Sequence, residues 1–235
     1  MRIASNDVAT LDPYELMALL GKRYVHPGGR EATEQLLAWA DIGPGEKVLD
    51  VGCGSGATAV SMAQRYGVDV TAADISELML GLARRRVDRA GVSGHVTVER
   101  ADITALPYPD GSFDRVIAEA VTMFVRRRTA AQELFRVCRP GGRVMATEFF
   151  WRRPPTEEAR RIFLGEVCPG LRFDSVEDWV AVYEGAGLDD VRTRVGPFEM
   201  LSPRGFLQDE GWRGTLAFAA RGMSRLAYLR RLSWL

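Results

Sequence analysis

A glycine-rich turn is the feature that most limits what this chain can fold into. The letters VLDVGCGSG occupy residues 48–56, where a short apolar run ends and a helical pattern begins. A turn of this kind between a strand and a helix lets a ligand approach the backbone where a Cβ atom would collide. The turn also fits the loose dinucleotide pattern G-x-G-x-x-A through Gly52, Gly54 and Ala57. By itself the turn predicts a ligand site on an α/β sheet, but it does not identify the ligand.

Strand-like and helix-like stretches alternate along the chain. Apolar runs predict strands at 47–51, 68–73, 96–100, 113–118, 143–148 and 188–195. Helical spacing is present at 11–21, 30–41, 57–66, 76–91, 129–138, 156–167, 175–186 and 203–232. This alternation predicts an α/β fold with a Rossmann-like, doubly wound and mostly parallel sheet. We expect six or seven strands, N-terminal helices and a C-terminal helical cap, although no final strand is evident in the sequence.

The composition is that of an ordinary globular protein of 235 residues, which we treat as a single domain. Its 31 basic and 31 acidic residues balance to zero, which argues against a nucleic-acid partner. No apolar run approaches the roughly 20 residues that span a bilayer. The first residues do not resemble a signal peptide, so cytoplasmic residence is the default expectation. The three cysteines have no CxxC spacing, so we predict neither a disulfide framework nor a metal site.

Acidic residues lie at the ends of four successive predicted strands. They are Asp50, Asp74, Asp102 and Glu119. The carboxyl ends of parallel strands meet at one edge of a sheet, so we expect these carboxylates to face one crevice. Asp74 can accept hydrogen bonds from both hydroxyls of a ribose. Each position also has a structural interpretation, such as a helix cap for Asp50 or a turn residue for Asp102.

Four stretches together resemble a class I S-adenosylmethionine-dependent methyltransferase of the small-molecule type. They are VLDVGCGSG at 48–56, TAADIS at 71–76, ADITALPYPDGSFDRVIAEA at 101–120 and RVCRPGGRVMATEF at 136–149. The resemblance implies S-adenosylmethionine as the cofactor and S-adenosylhomocysteine as its product. It divides the chain into N-terminal helices and a flap (1–42), a cofactor-binding core (43–150) and an acceptor-side part (151–235). The last part holds helices, the sixth strand and the terminal helix.

The resemblance also implies which residues bind the cofactor. They are Asp50, Gly52, Cys53, Gly54, Gly56, Asp74, Ile75, Asp102, Ile103 and Glu119. Asp50 and the 52–56 loop hold the methionine end, Asp74 takes the ribose hydroxyls, and Ile75 packs on the adenine. Asp102 and the residue after it bound the adenine edge. The charges agree with this, because a sulfonium and an ammonium suit carboxylates, whereas a dinucleotide pyrophosphate favours a basic partner.

The segment YVHPGG at 24–29 is the best candidate for an active-site flap, because it precedes the first strand. We predict His26, Tyr24 and Glu119 as the residues nearest the methyl transfer. Histidine titrates near neutral pH and suits proton transfer, and Glu119 lies where the family's fourth strand meets the methionine moiety and the acceptor. The alternatives are a turn-stabilising role for His26 and a core role for Tyr24.

The predicted acceptor is a small, apolar or aromatic organic molecule that is methylated at an O, N or C atom. Aromatic residues at 149–151 and Tyr108 lie on the side where its pocket would form. The alternative is that these rings pack helices onto the sheet. Two other functions stay open, namely a non-catalytic S-adenosylmethionine-binding partner subunit and an NAD(P)-dependent oxidoreductase.

The predicted terminal helix is basic and amphipathic. Its arginines are Arg213, Arg221, Arg225, Arg230 and Arg231, and one face carries Leu216, Ala219, Ala220, Met223, Leu226 and Ala227. We expect this face to cover the chain's own domain or to close the acceptor pocket. Contact with a second copy or with an anionic membrane surface is the alternative, without stable insertion.

Overall fold

The computed structural model describes residues 11–162, 164, 175–198, 200 and 202–223. At its centre is a five-stranded sheet in which every strand pair is parallel. The strands are β1 (Lys47–Val51), β2 (Asp69–Asp74), β3 (Val96–Arg100), β4 (Phe113–Glu119) and β5 (Cys138–Thr147), in the spatial order β3-β2-β1-β4-β5. The order reverses between β1 and β4, so the ends of these strands border the crevice where such sheets bind ligands. The predicted Rossmann-like α/β fold is confirmed.

Helices cover both faces of this sheet. They are α1 (Pro13–Leu20), α2 (Gly29–Ala40), α3 (Ala57–Tyr66), α4 (Glu77–Ala90), α5 (Arg127–Val137), α6 (Glu157–Ile162), α7 (Val176–Glu184) and α8 (Pro203–Met223). A 3-10 turn spans Thr122–Phe124. Ser76 caps α4, and its hydroxyl accepts the N–H of Met79 at 3.2 Å. Within the described residues, no helix has both the length and the apolar character needed to cross a bilayer.

Two apolar cores lie on opposite faces of the sheet. Leu49 and Val51 of β1 belong to one core and Val48 to the other, because successive side chains of a strand point to opposite faces. All three side chains are at most 1% exposed. Helices α5 and α7 cover the first face, and α2, α3 and α4 cover the second. The central strands are thereby buried on both sides and hold their carboxyl ends in place.

The predicted sixth strand at 188–195 is wrong. No residue of 188–198 pairs with a strand, and the described part of the chain has five strands rather than six or seven. Leu188 and Val191 pack against the core, whereas Arg192 and Arg194 lie in solvent and Val195 is 44% exposed, so the segment has no continuous buried strand face. The segment instead leads to Phe198, whose carbonyl accepts the N–H of Gly28 at 3.2 Å. It therefore runs beside the predicted flap.

Strand β5 begins earlier than predicted and includes the Pro-Gly-Gly turn. Phe113 of β4 pairs with Cys138, and Arg115 pairs with Arg143, so the extra residues of β5 form an irregularity in the ladder. A Cβ on Gly142 would lie 2.7 Å from the Asp114 carbonyl oxygen. The glycine therefore allows the strand to continue through what looks like a turn.

The terminal helix packs differently from the prediction. Gly211 interrupts α8 with φ 66° and ψ 171°, which turns its second half. Leu216 and Met223 of the expected apolar face are 61% and 65% exposed, so that face does not cover the domain. The contact with α1 is made instead by Phe218, which also packs on Phe206 at 4.9 Å between ring centroids. Residues 224–235, with three of the predicted arginines, lie outside the described residues.

Candidate functional site

A cavity of about 320 Å³ lies beyond the carboxyl ends of the strands and beneath α1 and the segment that follows it. It brings together nearly all of the predicted site residues. Those that line it are Tyr24, His26, Asp50, Gly52, Cys53, Gly54, Asp74, Ile75, Asp102, Ile103 and Glu119. The four strand-end carboxylates therefore share one crevice.

Gly56 does not line the cavity. A Cβ at this position would lie 3.0 Å from the Cβ of Ala83, so the glycine allows close packing of α3 against α4. Gly52 does line the cavity, and a Cβ there would lie 2.1 Å from a methyl carbon of Val121. With φ at +70°, Gly52 also has a backbone conformation that other residues rarely adopt.

Asp50 is the most unusual group in the cavity. It is 2% exposed, and its Oδ2 has no hydrogen-bond partner among the described residues. Burial raises the pKa of its carboxyl well above the usual range, the charges of Glu119 and Asp74 raise it further, and a hydrogen bond from the Ala59 N–H opposes them. A buried carboxylate oxygen without a partner is costly, so the site favours a cationic ligand group.

Asp74 organises the glycine-rich loop. Its Oδ2 accepts the N–H of Gly54 at 2.8 Å and its Oδ1 accepts the N–H of Ser76 at 2.8 Å. Burial raises the pKa of Asp74, while these backbone N–H groups oppose the rise. Each carboxylate oxygen has a second lone pair, so Asp74 can still accept a ligand hydroxyl.

One part of the cavity wall combines two isoleucines with an exposed carboxylate. Ile75 is 56% exposed and Ile103 is 5% exposed, and both line the cavity. Asp102 is held by the N–H of Thr104 at 2.8 Å and by its hydroxyl at 2.7 Å, and these bonds keep the pKa of Asp102 below the usual range. Apolar side chains beside a charged acceptor suit a flat ring that carries donors at its edge.

Glu119 lies in a hydrogen-bonded chain that joins β4 to two helices and to the flap. Its Oε1 accepts the Thr58 hydroxyl and its Oε2 accepts the Thr33 hydroxyl, both at 2.6 Å. His26 Nε2 lies 3.0 Å from the Thr33 oxygen and 3.3 Å from Glu119 Oε2. Tyr24 contacts the His26 ring edge-on, with 6.1 Å between centroids. Burial raises the pKa of Tyr24, so its hydroxyl stays protonated.

Sequence reasoning missed both threonines. Thr58 had a weak signal, because it follows the glycine-rich turn in the first residues of a helix. Thr33 had none, because a threonine inside a helix is ordinary and its contact with Glu119 spans 86 positions. Cys53 lies in the cavity wall, where burial raises the pKa of its thiol well above the usual range, so the thiol stays protonated.

Helix α8 holds the segment above the cavity. Lys22 is 0% exposed and its ammonium lies 2.7 Å from Asp209 Oδ2, while Asp209 Oδ1 accepts the N–H of Arg30 at 2.8 Å. Arg23 lines the cavity and is held by Glu210 through a 2.8 Å ion pair. The sequence suggested no such role for these two acidic residues, because the predicted helix looked basic.

The predicted aromatic acceptor residues lie elsewhere. Tyr108 donates its hydroxyl to Glu99 at 2.6 Å and packs edge-on against Phe113, while Phe149 and Phe150 pack against the core. The packing alternative therefore describes them. Besides Tyr24 and His26, the cavity is lined by the rings of Tyr14 and Phe124, which contact each other at 5.4 Å between centroids.

Comparisons with known proteins point to one enzyme family. The model of a methyltransferase domain matches residues 48–142. An uncharacterized protein of Haemophilus influenzae is 30% identical over 217 residues, which cover 89% of this chain and 85% of that protein. The 27-O-demethylrifamycin SV methyltransferase of Amycolatopsis mediterranei is 36% identical over 160 residues, or 67% of this chain and 59% of that enzyme.

A solved structure shows the same fold. Phosphoethanolamine N-methyltransferase 2 of Haemonchus contortus, in complex with phosphomonomethylethanolamine and S-adenosylhomocysteine, matches with a TM-score of 0.75 and 21% identity. The match covers 99% of this chain and 56% of that one. The domain match, the relatives and the cavity of carboxylates around a glycine-rich loop agree with one another. The chain belongs to the class I S-adenosylmethionine-dependent methyltransferases, with S-adenosylmethionine as its cofactor.

Proposed function

We propose that this enzyme methylates an O, N or C nucleophile of a small, apolar or aromatic organic molecule. The observation that carries the proposal is the division of one cavity into an acidic and an apolar part. Its apolar wall includes Tyr14, Val25, Val121, Phe124 and Val125, beside the carboxylates at the strand ends. An apolar acceptor gains free energy from such a wall, whereas a charged polymer does not.

The residues present fit the cofactor. Asp50 Oδ2, which has no hydrogen-bond partner among the described residues, suits the ammonium group of the cofactor, and Asp74 suits its ribose hydroxyls. Ile75 and Ile103 suit the two faces of its adenine. When bound, S-adenosylmethionine supplies an electrophilic methyl group on its sulfonium. The acidic cavity does not suit a dinucleotide, whose pyrophosphate would meet carboxylates.

The chain's own contribution is placement and exclusion of water. Glu119 is held by two threonine hydroxyls, and Tyr24 and His26 cover it from the flap. A nucleophile held at near-attack distance in such an enclosed site needs little further chemistry. A base is required only when the nucleophile carries a proton, and Glu119 with His26 supplies it.

The acceptor class is tested by incubating the enzyme with methyl-labelled cofactor and a fractionated extract of small molecules. We expect label in an apolar organic fraction, identified by mass, and its loss in Phe124→Asp. Label only in protein or nucleic acid would contradict the proposal.

The Asp74 assignment has its own test. We expect Asp74→Ala to weaken binding of S-adenosylhomocysteine by about 100-fold, because each hydrogen bond to a charged group contributes about 1.5–3 kcal/mol. Calorimetric titration measures the affinity. Asp69→Ala is the matched control, since this side chain begins the same strand and is 74% exposed. Equal affinity in the two variants would remove Asp74 from the site.

A further inference from the structure

The hydrogen bonds that link His26, Thr33 and Glu119 restrict where their protons can be. His26 Nδ1 lies 3.2 Å from the carbonyl oxygen of Pro27, which can only accept a hydrogen bond. Nδ1 must therefore carry a proton. Nε2 faces the Thr33 hydroxyl, which has one proton to give and lies 2.6 Å from Glu119 Oε2 on its other side.

Two arrangements of the protons satisfy all the hydrogen bonds that link these three side chains. In the first, His26 is an imidazolium that donates from Nε2 to Thr33, and Thr33 donates to an ionised Glu119. In the second, a protonated Glu119 donates to Thr33, and Thr33 donates to Nε2 of a neutral ring. Both arrangements contain the same number of protons and the same net charge, and both keep the proton on Nδ1.

We propose that Thr33 is a positioning residue that relays one proton between His26 and Glu119. In one step, the Thr33 oxygen takes the Nε2 proton while its own hydroxyl proton passes to Glu119 Oε2. The N–H and O–H bonds that break are replaced by new O–H bonds, so Thr33 is restored and no proton or charge is gained or lost. Pro27 and Thr58 hold the two ends of the relay in place.

The three groups of the relay are buried together. His26 is 6% exposed, Thr33 is 2% exposed, and the Glu119 side chain is 7% exposed. The titratable groups that face this unit are Tyr24, edge-on to the His26 ring, and Asp50, whose charge interacts with that of Glu119. Burial disfavours the two charges of the ion-pair arrangement, and their attraction across 3.3 Å opposes that cost, so the two arrangements can be close in free energy and the proton can be shared.

The relay provides the group that takes the proton released by the methyl acceptor in the proposed function. It rests on that function in one respect, namely that the acceptor is a hydroxyl or amine. In the ion-pair arrangement the ionised Glu119 borders the cavity and can take the acceptor's proton, while the imidazolium beside it balances the carboxylate until then.

Nuclear magnetic resonance of the histidine rings tests the relay without any acceptor. The chain has 2 histidines, and His95 lies with its side chain 53% exposed, where it serves as an internal reference. At neutral pH we expect His26 to show a protonated Nδ1 and an Nε2 nitrogen shift between the protonated and unprotonated values. In Thr33→Val the Nε2 shift should move to one of the two end values, and in Thr33→Ser it should stay intermediate.

Glu119→Gln provides a second test in the same resonance experiment, because a glutamine amide cannot take the relayed proton. We expect its His26 ring to be neutral, with the proton on Nδ1. An Nε2 shift that is the same in Thr33→Val and wild type, or an unprotonated Nδ1 in wild type, would overturn the relay. His95 shifts identical to wild type show that each variant is folded.

A binding measurement separates this proposal from the proposed function. Thr33 does not line the cavity, so Thr33→Val should bind S-adenosylhomocysteine within about twofold of wild type while its His26 signals change. A large loss of affinity in this variant would mean that Thr33 shapes the cofactor site and would contradict a relay role. Failure to find a methyl acceptor leaves the resonance result intact.

Discussion

Replacing Asp209 with alanine is expected to lower the free energy of unfolding by about 3–5 kcal/mol, because it leaves a buried ammonium without its partner. Lys22 is 0% exposed, and its Nζ lies 2.7 Å from Asp209 Oδ2 and 4.3 Å from the Phe206 ring centroid. The same substitution removes the acceptor for the Arg30 N–H at the start of α2. That helix begins at a glycine without a side-chain cap, so Asp209 caps it from another part of the chain.

Chemical denaturation of wild type and variant measures this effect. The control is Asp190→Asn, since Asp190 is 71% exposed and pairs across a surface turn with Arg192. Exposed ion pairs contribute about 0–1 kcal/mol, so that variant should stay close to wild type. The double variant Lys22→Met with Asp209→Leu should recover most of the lost stability, because a buried pair can often be replaced by apolar residues. A double variant as unstable as Asp209→Ala would show that the lost acceptor for the Arg30 N–H, and not the unpaired charge, is the cause.

Asp50→Asn is expected to stabilise the protein without cofactor and to weaken cofactor binding. The carboxylate is buried and one of its oxygens has no partner among the described residues, so its charge costs free energy in the empty cavity. Asparagine can still accept the Ala59 N–H. We expect the free energy of unfolding to rise by about 1–3 kcal/mol. We also expect a 10- to 100-fold loss of affinity for S-adenosylhomocysteine, because the lost hydrogen bond to a charged group contributes a similar free energy to binding.

The pH dependence of this stabilisation follows from the direction of the Asp50 pKa. Burial raises the pKa in the folded state, so the folded protein binds the proton more tightly than the unfolded chain. The contribution of Asp50 to stability is therefore full below the usual carboxyl pKa and is lost as the pH rises through the raised value. The stability difference between Asp50→Asn and wild type should grow with pH across that range.

Denaturation at a series of pH values measures this difference, with titrations of S-adenosylhomocysteine alongside. Asp41→Asn is the control, because Asp41 is 76% exposed and its substitution should leave both quantities near wild type. A difference that is constant with pH, or an unchanged affinity, would contradict an ionised Asp50 at the cofactor's ammonium group.

The cofactor half of the site was accessible from the sequence because its signals are local. Asp50 and the glycines stand within one strand-turn-helix unit, and Asp74 ends the next strand. Parallel pairing then places strand ends at one edge whatever the details of packing. The proposed acceptor side was not accessible in this way. The aromatic rings expected there pack against the core, and Tyr14 and Phe124, which were not predicted, line the cavity.

The sequence by itself determined the parallel α/β sheet, the glycine-rich loop and the four carboxylates that line one cavity, because each follows from a pattern within a few residues. Only the tertiary structure decided that 188–195 is not a strand, that Thr33 joins Glu119 to His26, and that Asp209 pairs with Lys22. The last pair is 187 positions apart. The physical reason is that burial of a charge, or the presence of a neighbouring strand, is a property of packed segments. No local pattern encodes it.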